Sequence, residues 1–251
     1  MKDYPWKGSG RVLTATFGLL WLCVHALGAA EIPATPDDKP SAGSPVHFVA
    51  SNGFDFGKIL PPPPAPGSIG ALGDLEVVLR VQASRTPADV AYAKRVDRED
   101  LDLLIPGYTK AAYPKTDLLI SEVIGDLAPV ATGFKDLYRR LRPPQVESSV
   151  HPCVPIPKSF SYPSGHSTRA FVTAGVLAAI DPDRKAEFYD RAHAIAWARV
   201  VSGVHFPTDD VGGRMVAEAF MAKLLQNPDF LAEAAAARAE FASAAVAQAA
   251  R

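Results

Sequence analysis

The chain has 251 residues, 48% hydrophobic and 21% charged, which is enough for one domain with a substantial core. Its formal net charge is -1, and no run of Lys and Arg is long enough to follow the backbone of a nucleic acid. The composition thus excludes a binder of polymeric nucleic acid, and any preference for anions must come from a local cluster of cations.

The first thirty residues have the pattern of a cleavable export signal. Basic residues precede the apolar run 12–27, and small residues at 28–30 follow it. The run is short for a spanning helix and contains His25, so cleavage is favoured over an uncleaved membrane anchor. We therefore predict a periplasmic or secreted protein that makes no membrane contact once residues 1–30 are removed.

The two cysteines do not predict a disulfide. Export would place the chain in an oxidising compartment, where structural disulfides are common. Removal of residues 1–30 takes away Cys23, however, and leaves Cys153 without a partner in the mature chain.

Residues 31–68 are predicted to form an extended arm. They are rich in Pro, Gly, Asp and Ser, with four consecutive prolines at 61–64, and neither a helix nor a central strand tolerates such a composition. Part of the arm is expected to lie along the domain surface because of six apolar side chains: Val46, Phe48, Phe54, Phe56, Ile59 and Leu60.

From about residue 69 onward the apolar residues recur with the helical period, and alternation with period two is absent. We predict an all-α, single-domain helical bundle over residues 69–251, with Gly203 and the pair 212–213 permitting tight turns or close packing. The candidate helices span 70–84, 87–101, 115–127, 130–141, 167–180, 184–202, 209–226 and 229–249. The Ala-rich stretch 231–250 has few large side chains, so we expect a surface helix or frayed end, or else an interaction tail.

Lys135 and Arg142 form the first of three clusters that suit a tetrahedral dianion. A spacing of seven residues on one helix would place them on the same face, about 10 Å apart along the axis. Pro143 would then end the helix. Taken alone, the pair is better explained as a solvated basic face that includes Arg139 and Arg140.

The second cluster is the tetrapeptide Pro163-Ser164-Gly165-His166, directly before an apolar helix. Gly165 lets the backbone approach a ligand closely, and the free N–H groups of a helix start favour an anion. His166 stands where it can donate a proton to a departing oxygen. A turn with Pro, Ser and Gly is common, but this order of four is expected only on the order of once per 10^5 positions.

The third cluster is Arg199, His205 and Asp209, around a turn that Gly203 permits. A carboxylate at Asp209, in the first turn of the next helix, can accept from one imidazole nitrogen and leave the other free to attack phosphorus. Asp210 is also available as the capping carboxylate, and the spacing does not separate the two. In isolation, a packed histidine beside a helix cap is the simpler interpretation.

In this order and with these gaps, the three clusters resemble the signature of the type 2 phosphatidic acid phosphatase (PAP2) superfamily, to which the vanadium haloperoxidases are related. The soluble bacterial class A nonspecific acid phosphatases are especially similar, because they share an export signal and a string like Leu60-Pro-Pro-Pro-Pro-Ala65 ahead of the helices. The resemblance covers residue 58 to the C-terminus and implies a helical bundle of the PAP2 and haloperoxidase type. The chain departs from it at Ala198, where the family has Ser, and at Cys153, which lacks the disulfide partner of many relatives.

The resemblance also implies a role for each motif residue. His205 would be the nucleophile, Asp209 its orienting partner, and His166 the acid for the leaving group and then the base for water. The residues that would hold the phosphate are Lys135, Arg142, Ser164, Gly165 and Arg199. These cations would repel a metal ion, so His166, His205 and Asp209 are not expected to bind one.

The function implied by the resemblance is that of an exported acid phosphatase, which hydrolyses small-molecule phosphate monoesters of broad structure through a phosphohistidine, without metal or other cofactor. An acidic pH optimum is expected because His166 must begin protonated while His205 must be neutral. Three alternatives stay open: a vanadium-dependent haloperoxidase, a lipid phosphate phosphatase, and a catalytically weakened phosphate-binding relative. Haloperoxidases are usually longer, a lipid phosphatase needs membrane access, and the retained histidines argue against lost catalysis. The resemblance also makes a homodimer a candidate assembly.

Overall fold

The computed structural model describes residues 45–249, with side chains through residue 243. The predicted export signal at 1–30, Cys23 within it and the first part of the arm, 31–44, lie outside the described residues. The described part consists of helices, turns and extended connections, and it contains no β-strand. It confirms the all-α prediction.

Nine α-helices follow one another along residues 45–249. They are α1 (Phe56–Ile59), α2 (Ile69–Ser84), α3 (Pro87–Val96), α4 (Pro114–Tyr138), α5 (Pro143–Val146), α6 (Gly165–Ile180), α7 (Lys185–Val201), α8 (Pro207–Leu224) and α9 (Pro228–Ala249). Short 3-10 helices occupy Ser51–Gly53, Leu101–Leu103 and Pro182–Arg184. None of the helices in this part of the chain is both long enough and apolar enough to cross a membrane.

Helix α4 replaces the two helices predicted over 115–127 and 130–141, because it continues through Pro129. A proline inside a helix removes one backbone hydrogen bond and crowds the carbonyl one turn back. Here the neighbours Leu127 and Val130 are buried in the core, so packing on both sides of Pro129 opposes a break. The predicted interruption is therefore wrong.

The same helix ends before the residue predicted from the sequence. Arg139 adopts a left-handed conformation with a φ of 45°, and its N–H donates to the carbonyl oxygen of Lys135 at 2.9 Å. Arg142 lies beyond this stop, at the N-cap position of α5. The prediction that Lys135 and Arg142 share one helical face is therefore wrong.

Helix α3 begins as the sequence predicts and ends early. Thr86 and Asp89 form a capping box, in which each side chain accepts from the backbone N–H of the other, at 3.2 and 2.8 Å. The helix ends at Val96, before the predicted end at residue 101, and Glu99 then has a φ of 55°, which no right-handed helix can include. The turn brings the Glu99 side chain to the start of α6.

Helix α6 lies at the centre of the fold and packs against α4, α7, α8 and α9. Helix α8 comes very close to the start of α6. A Cβ on Gly213 of α8 would lie 2.7 Å from the carbonyl oxygen of Ser164 and 2.8 Å from Cβ of Ser167. Between α7 and α8 the chain turns at Gly203, whose φ is 79°. The predicted close packing at Gly213 and the predicted turn at Gly203 are both confirmed.

The described part of the arm, residues 45–68, is fastened to α4 by one carboxylate. Asp126 accepts from the backbone N–H groups of His47, Phe48 and Val49 at 3.0, 2.7 and 2.9 Å. As expected from the sequence, apolar side chains of the arm pack on the core, namely Phe48, Phe54, Phe56, Ile59 and Leu60. Val46 is the exception and is exposed. The expectation that the arm contains no helix is wrong over the four residues of α1.

Helix α9 buries more than its Ala-rich sequence predicts. Four of its residues are buried at a helical spacing: Phe230, Ala234, Ala237 and Phe241. Glu240 accepts from the N–H groups of Lys115 and Thr116 at 2.7 and 3.0 Å, which satisfies two donors at the start of α4. Up to residue 241 the helix is part of the core, and the expectation of a frayed or merely interacting tail is wrong there.

Candidate active site

Ser164 is the N-cap of α6 and ties the start of that helix to α8. Its Oγ accepts from the N–H of Ser167 at 3.3 Å, and its own N–H donates to the carbonyl oxygen of Asp209 at 2.9 Å. The N–H groups of Gly165 and His166 come first in the helix, where a helix offers no internal acceptor. This end of α6 therefore suits an anion.

His205 lies between α7 and α8, and its imidazole is held at both nitrogens. Nδ1 is 3.2 Å from Oδ2 of Asp209, and Nε2 is 3.0 Å from Nη1 of Arg142. A guanidinium can only donate, so Nε2 must carry the lone pair and Nδ1 must carry the proton that Asp209 accepts. The side chain thus presents a neutral nitrogen with a free electron pair beside a cation. The imidazole's carboxylate partner is Asp209, and Asp210 lies elsewhere.

Asp209 is fully buried, and each of its oxygens has strong donors. Oδ1 accepts from Nη1 of Arg140 at 2.7 Å, and Oδ2 accepts from Oγ of Ser161 at 2.5 Å and from the N–H of Phe206 at 2.9 Å. The buried guanidinium and the two other donors hold the carboxylate in place, which makes it a fixed acceptor for His205. It also closes the first turn of α8, because the bond to Phe206 is an N-terminal capping contact.

Arg140 is a member of the site that reasoning from the sequence missed. Its side chain is only 9% exposed, although the sequence favoured a solvated basic face for Arg139 and Arg140. Nη2 donates to Oδ2 of Asp74 at 2.7 Å, so Arg140 bridges two buried carboxylates, Asp74 on α2 and Asp209 on α8. The basic character of the segment hinted at it, but nothing local indicates Asp74 or Ser161 as partners.

Lys135 and Arg142 converge on one backbone carbonyl, although they do not share a helix face. Nζ of Lys135 is 2.6 Å from the oxygen of Phe160, and Nη2 of Arg142 is 3.3 Å from the same atom. A Cβ on Gly165 would lie 3.8 Å from Cε of Lys135, so the lysine also borders the start of α6. Arg142 is 1% exposed, and its Nη1 also donates to the oxygen of Val204 at 2.9 Å.

Arg199 is fully buried near the end of α7 and has spare donors. Nη1 pairs with Oδ1 of Asp97 at 2.8 Å, whereas Nε and Nη2 find no hydrogen-bond partner among the residues that the structure describes. Buried cationic donors without acceptors are costly, and an anionic ligand is the partner that would satisfy them. This guanidinium is therefore the best evidence in the site for a bound oxyanion.

His166 turns its Nε2 into the same region. That nitrogen is buried, has no hydrogen-bond partner within the described chain, and lies 3.6 Å from Oε1 of Glu99. Burial and the positive charge of Arg199 lower the pKa of His166 to about 3, while a hydrogen bond with the backbone of Asp97 acts in the opposite direction. With this lowered pKa the imidazole is neutral near pH 7.

Burial, followed by the charges of Arg142, Lys135 and Arg199, also lowers the pKa of His205 well below its usual value. The site thus combines neutral imidazoles with an excess of positive charge. A dianion would offset that charge and favour a proton on an imidazole. The expectation that His166 is protonated before substrate binds is not supported by this geometry.

The structure brings all the residues predicted for the site together around the start of α6. They are Lys135, Arg142, Ser164, Gly165, His166, Arg199, His205 and Asp209. In the part of the chain with described side chains, no group of three His, Cys, Asp or Glu residues is arranged to hold a metal ion. The site is therefore a buried cluster of cations and neutral imidazoles, which suits a tetrahedral oxyanion.

Comparison with known proteins agrees with this geometry. The profile of the PAP2 superfamily matches residues 116–230. The non-specific acid phosphatase of Providencia stuartii is 30% identical over 210 residues, 76% of this chain and 83% of that protein. The acid phosphatase of Zymomonas mobilis is 35% identical over 83 residues, 33% of this chain and 31% of that protein.

A solved structure shares the fold. That of a bacterial vanadium-dependent iodoperoxidase superposes with a TM-score of 0.54 at 17% identity, over 68% of this chain and 52% of that chain. At this identity the likeness concerns the fold alone. The family follows from the sequence match over most of both chains: the protein belongs to the PAP2 superfamily, among its non-specific acid phosphatases.

Proposed function

We propose that this protein is an exported acid phosphatase of broad specificity, which hydrolyses phosphate monoesters through a phosphohistidine at His205. The observation that carries the proposal is the state of the His205 imidazole. Nδ1 donates its proton to Asp209, so Nε2 carries the lone pair of a neutral ring, and the cations of the site surround it. A nucleophile of this kind needs no metal to become reactive. The relatives named acid phosphatases support the reaction class.

The phosphoryl group would bind at the start of α6. Nε and Nη2 of Arg199 would take two of its oxygens, while Lys135 and Arg142 would neutralise the remaining charge. Ser164 and the N–H of Gly165 would complete the binding site. Because these groups all contact phosphate and none contacts the alcohol, the site would accept alcohols of many shapes.

The reaction would proceed in two balanced steps. Nε2 of His205 attacks phosphorus while the bond to the ester oxygen breaks, and His166 gives that oxygen a proton so that an alcohol leaves. Water then attacks phosphorus and gives one proton to His166 while the bond from phosphorus to Nε2 breaks, so that inorganic phosphate leaves and Nε2 recovers its lone pair. Asp209 stabilises the positive charge on the phosphorylated imidazole, and Arg142 moves its donor from Nε2 to a phosphoryl oxygen.

The acidic pH optimum expected for turnover does not require His166 to be protonated before substrate binds. It follows from imidazoles that are neutral until the substrate brings a proton. The second pKa of a phosphate monoester is about 6, so at lower pH the substrate carries a proton of its own. The monoanion can deliver that proton to His166, whose pKa rises once the dianion is beside it. Turnover should therefore decline above pH 6, where the substrate arrives without the proton.

The experiment that tests this function is rapid chemical quench with a labelled aryl phosphate. The wild type should form an acid-labile, base-stable phosphoenzyme within one turnover, and His205→Ala should form none. His193→Ala is the matched control, because His193 is an exposed histidine on α7 that makes an edge-to-face contact with Phe171. Labelling that persists in His205→Ala, or activity that EDTA removes and a divalent ion restores, would contradict the mechanism.

A vanadium-dependent haloperoxidase, the alternative interpretation of the motifs, would use the same atoms. Vanadate is a tetrahedral oxyanion, and the neutral Nε2 of His205 could bind its metal atom while the three cations hold its oxygens. Halide oxidation in the presence of vanadate and peroxide, assayed beside hydrolysis of an aryl phosphate, separates this activity from phosphatase activity. We expect vanadate to inhibit hydrolysis and to support no halide oxidation.

A further inference from the structure

Asp210 carries a buried carboxyl group for which the proposed reaction has no use. It follows Asp209 in the first turn of α8, but its Oδ1 points to α6 and lies 2.5 Å from Oγ of Ser167. Oδ2 is shielded from solvent and has no hydrogen-bond partner among residues 45–243. Asp209 is bonded to Arg140, whereas Asp210 has no comparable cation in the described chain.

Ser167 connects this carboxyl to the phosphate site. Its Oγ is 2.9 Å from Oγ of Ser164, the N-cap of α6 and one of the groups proposed to hold phosphate. Asp210, Ser167 and Ser164 thus form a chain of three oxygen groups that ends at the anion site. The close approach of Gly213 to Ser164 and Ser167 keeps α8 and α6 in this register.

Each hydroxyl in the chain has one proton, so the chain can run in only one direction at a time. If Asp210 is a neutral acid, it donates to Ser167, Ser167 donates to Ser164, and the Ser164 proton is left for a ligand. If Asp210 is ionised, Ser167 must donate to it. Ser164 then donates either to Ser167 or to another group, and in the second case no proton lies between the two serine oxygens. In the ionised state Ser164 can donate to a phosphate oxygen only by giving up its hydrogen bond with Ser167, whereas in the first state the chain keeps every hydrogen bond.

The surroundings of Asp210 favour the neutral acid. An ionised carboxylate here would be costly, because Oδ2 has no hydrogen-bond partner in the described chain and neutral hydroxyls alone do not replace lost hydration. The charged groups that act on it are Asp209 on its own helix and Arg199 on α7, of opposite sign, and its hydrogen-bonding neighbours at the start of α6 are Ser167 and Ser164. Burial, followed by Asp209 and against the smaller effects of Ser167, Ser164 and Arg199, raises the pKa of Asp210 well above its usual value.

We propose that Asp210 is a positioning residue, which as a neutral acid acts through Ser167 to turn the hydroxyl of Ser164 toward the bound phosphoryl group. The inference rests on the proposed phosphate site and adds a residue to it. Oxyanion binding and retention of the proton on Asp210 then favour each other. Ionisation of Asp210 should weaken phosphate binding by roughly threefold to tenfold, the effect of one hydrogen bond.

Infrared difference spectroscopy tests the protonation directly. Spectra of the phosphate complex at pH 6, wild type minus Asp210→Asn, should contain the carbonyl band of one protonated carboxyl. If the difference shows a carboxylate band instead, Asp210 is ionised in the complex and the proposal is overturned.

Phosphate inhibition tests the connection to Ser164. Asp210→Asn, whose amide can donate to Ser167 at any pH, should bind inorganic phosphate within about twofold of the wild type at pH 6. Ser164→Ala should bind phosphate roughly threefold to tenfold more weakly there in both backgrounds. No loss in Ser164→Ala, or an equal loss in Asp210→Asn, would overturn the proposal.

A double-mutant comparison separates a relay from a general structural effect. In a Ser167→Ala background the relay is broken. The ratio of the phosphate inhibition constant of the double variant Ser167→Ala/Asp210→Asn to that of Ser167→Ala should therefore be the same from pH 5 to pH 9. A pH-dependent ratio in that background would show that Asp210 acts by another route. Labelling of His205 in the quench experiment reports the proposed function independently, so failure of the relay and failure of the phosphatase are distinguishable.

Discussion

Arg140 donates to Asp209 at 2.7 Å, and Asp209 is the carboxylate that holds Nδ1 of His205. The imidazole proposed as the nucleophile is thus supported by a guanidinium that is not among the groups proposed to bind phosphate. Because Arg140 also pairs with Asp74, it links α2 to the site through one planar group. This arrangement explains why a buried arginine is placed behind a site that already has three cations in front.

Arg140→Lys should therefore lower both stability and activity. A lysine cannot bridge Asp74 and Asp209 with a planar fork, so one buried carboxylate loses its partner, at a cost of about 3 kcal/mol. The free energy of unfolding in urea and kcat/KM for an aryl phosphate measure the two effects. Arg139→Lys, at the exposed neighbour, is the matched control and should change neither. Equal effects of both substitutions would contradict the bridging role.

Sulfate binding should be accompanied by proton uptake between pH 4 and pH 6. Sulfate does not titrate in this range, so the protons must enter the protein, where the bound dianion raises the pKa of His166 from about 3. Calorimetry in buffers of different ionisation enthalpy measures the uptake. His166→Asn should bind sulfate with less uptake, and His193→Asn should behave as the wild type. Uptake unchanged in His166→Asn would assign the proton to another group.

The same lowered pKa predicts how the ligand-free protein responds to acid. In the unfolded chain His166 titrates near 6.5, so between pH 6.5 and pH 3 the unfolded state binds a proton that the folded state refuses. Stability is therefore fully present above pH 6.5 and declines as the pH falls through this window. The slope of the unfolding free energy against pH should become shallower in His166→Asn. An unchanged slope would show that His166 is protonated in the fold.

Arg199→Met should lower activity strongly without destabilising the ligand-free fold. Two of the donors of this guanidinium have no partner in the described chain, and its partner Asp97 is 26% exposed and can be hydrated. Removal of a buried, half-satisfied charge should leave the free energy of unfolding unchanged or raise it by about 1 kcal/mol. Loss of phosphate contacts should lower kcat/KM on the order of 10^2 to 10^3. A large loss of stability would mean that the guanidinium is satisfied without an anion.

Gly213→Ala should disturb the site by displacing α8 from the start of α6. The added Cβ would meet the Ser164 carbonyl oxygen at 2.7 Å, so α8 must move away from α6, at a cost of about 1–3 kcal/mol. Gly73→Ala is a matched control on α2, where a Cβ meets nothing within 4 Å, and it should raise stability by about 0.5–1 kcal/mol. Urea unfolding and kcat/KM measure these changes. If Gly213→Ala lowers neither of them, α6 and α8 lie further apart in solution than in this structure.

Local signals in the sequence predicted most of the helices and the anion-binding turn at the start of α6. Ser164 and Gly165 act within their own turn, so a short motif predicts their geometry. The bridge from Arg140 to Asp74 spans 66 positions, and no local pattern distinguishes it from a surface charge. Pro129 shows the opposite error, because a local rule predicted a break that core packing on both sides prevents.

The three bonds from Asp126 to the backbone of His47, Phe48 and Val49 set a boundary for engineering the chain. A fusion partner or affinity tag joined before residue 45 leaves this clasp intact. A deletion that reaches Val49 removes three donors from a buried carboxylate and uncovers the apolar surface under Phe48 and Val49. For recombinant work, the minimal enzyme therefore begins well ahead of its first long helix.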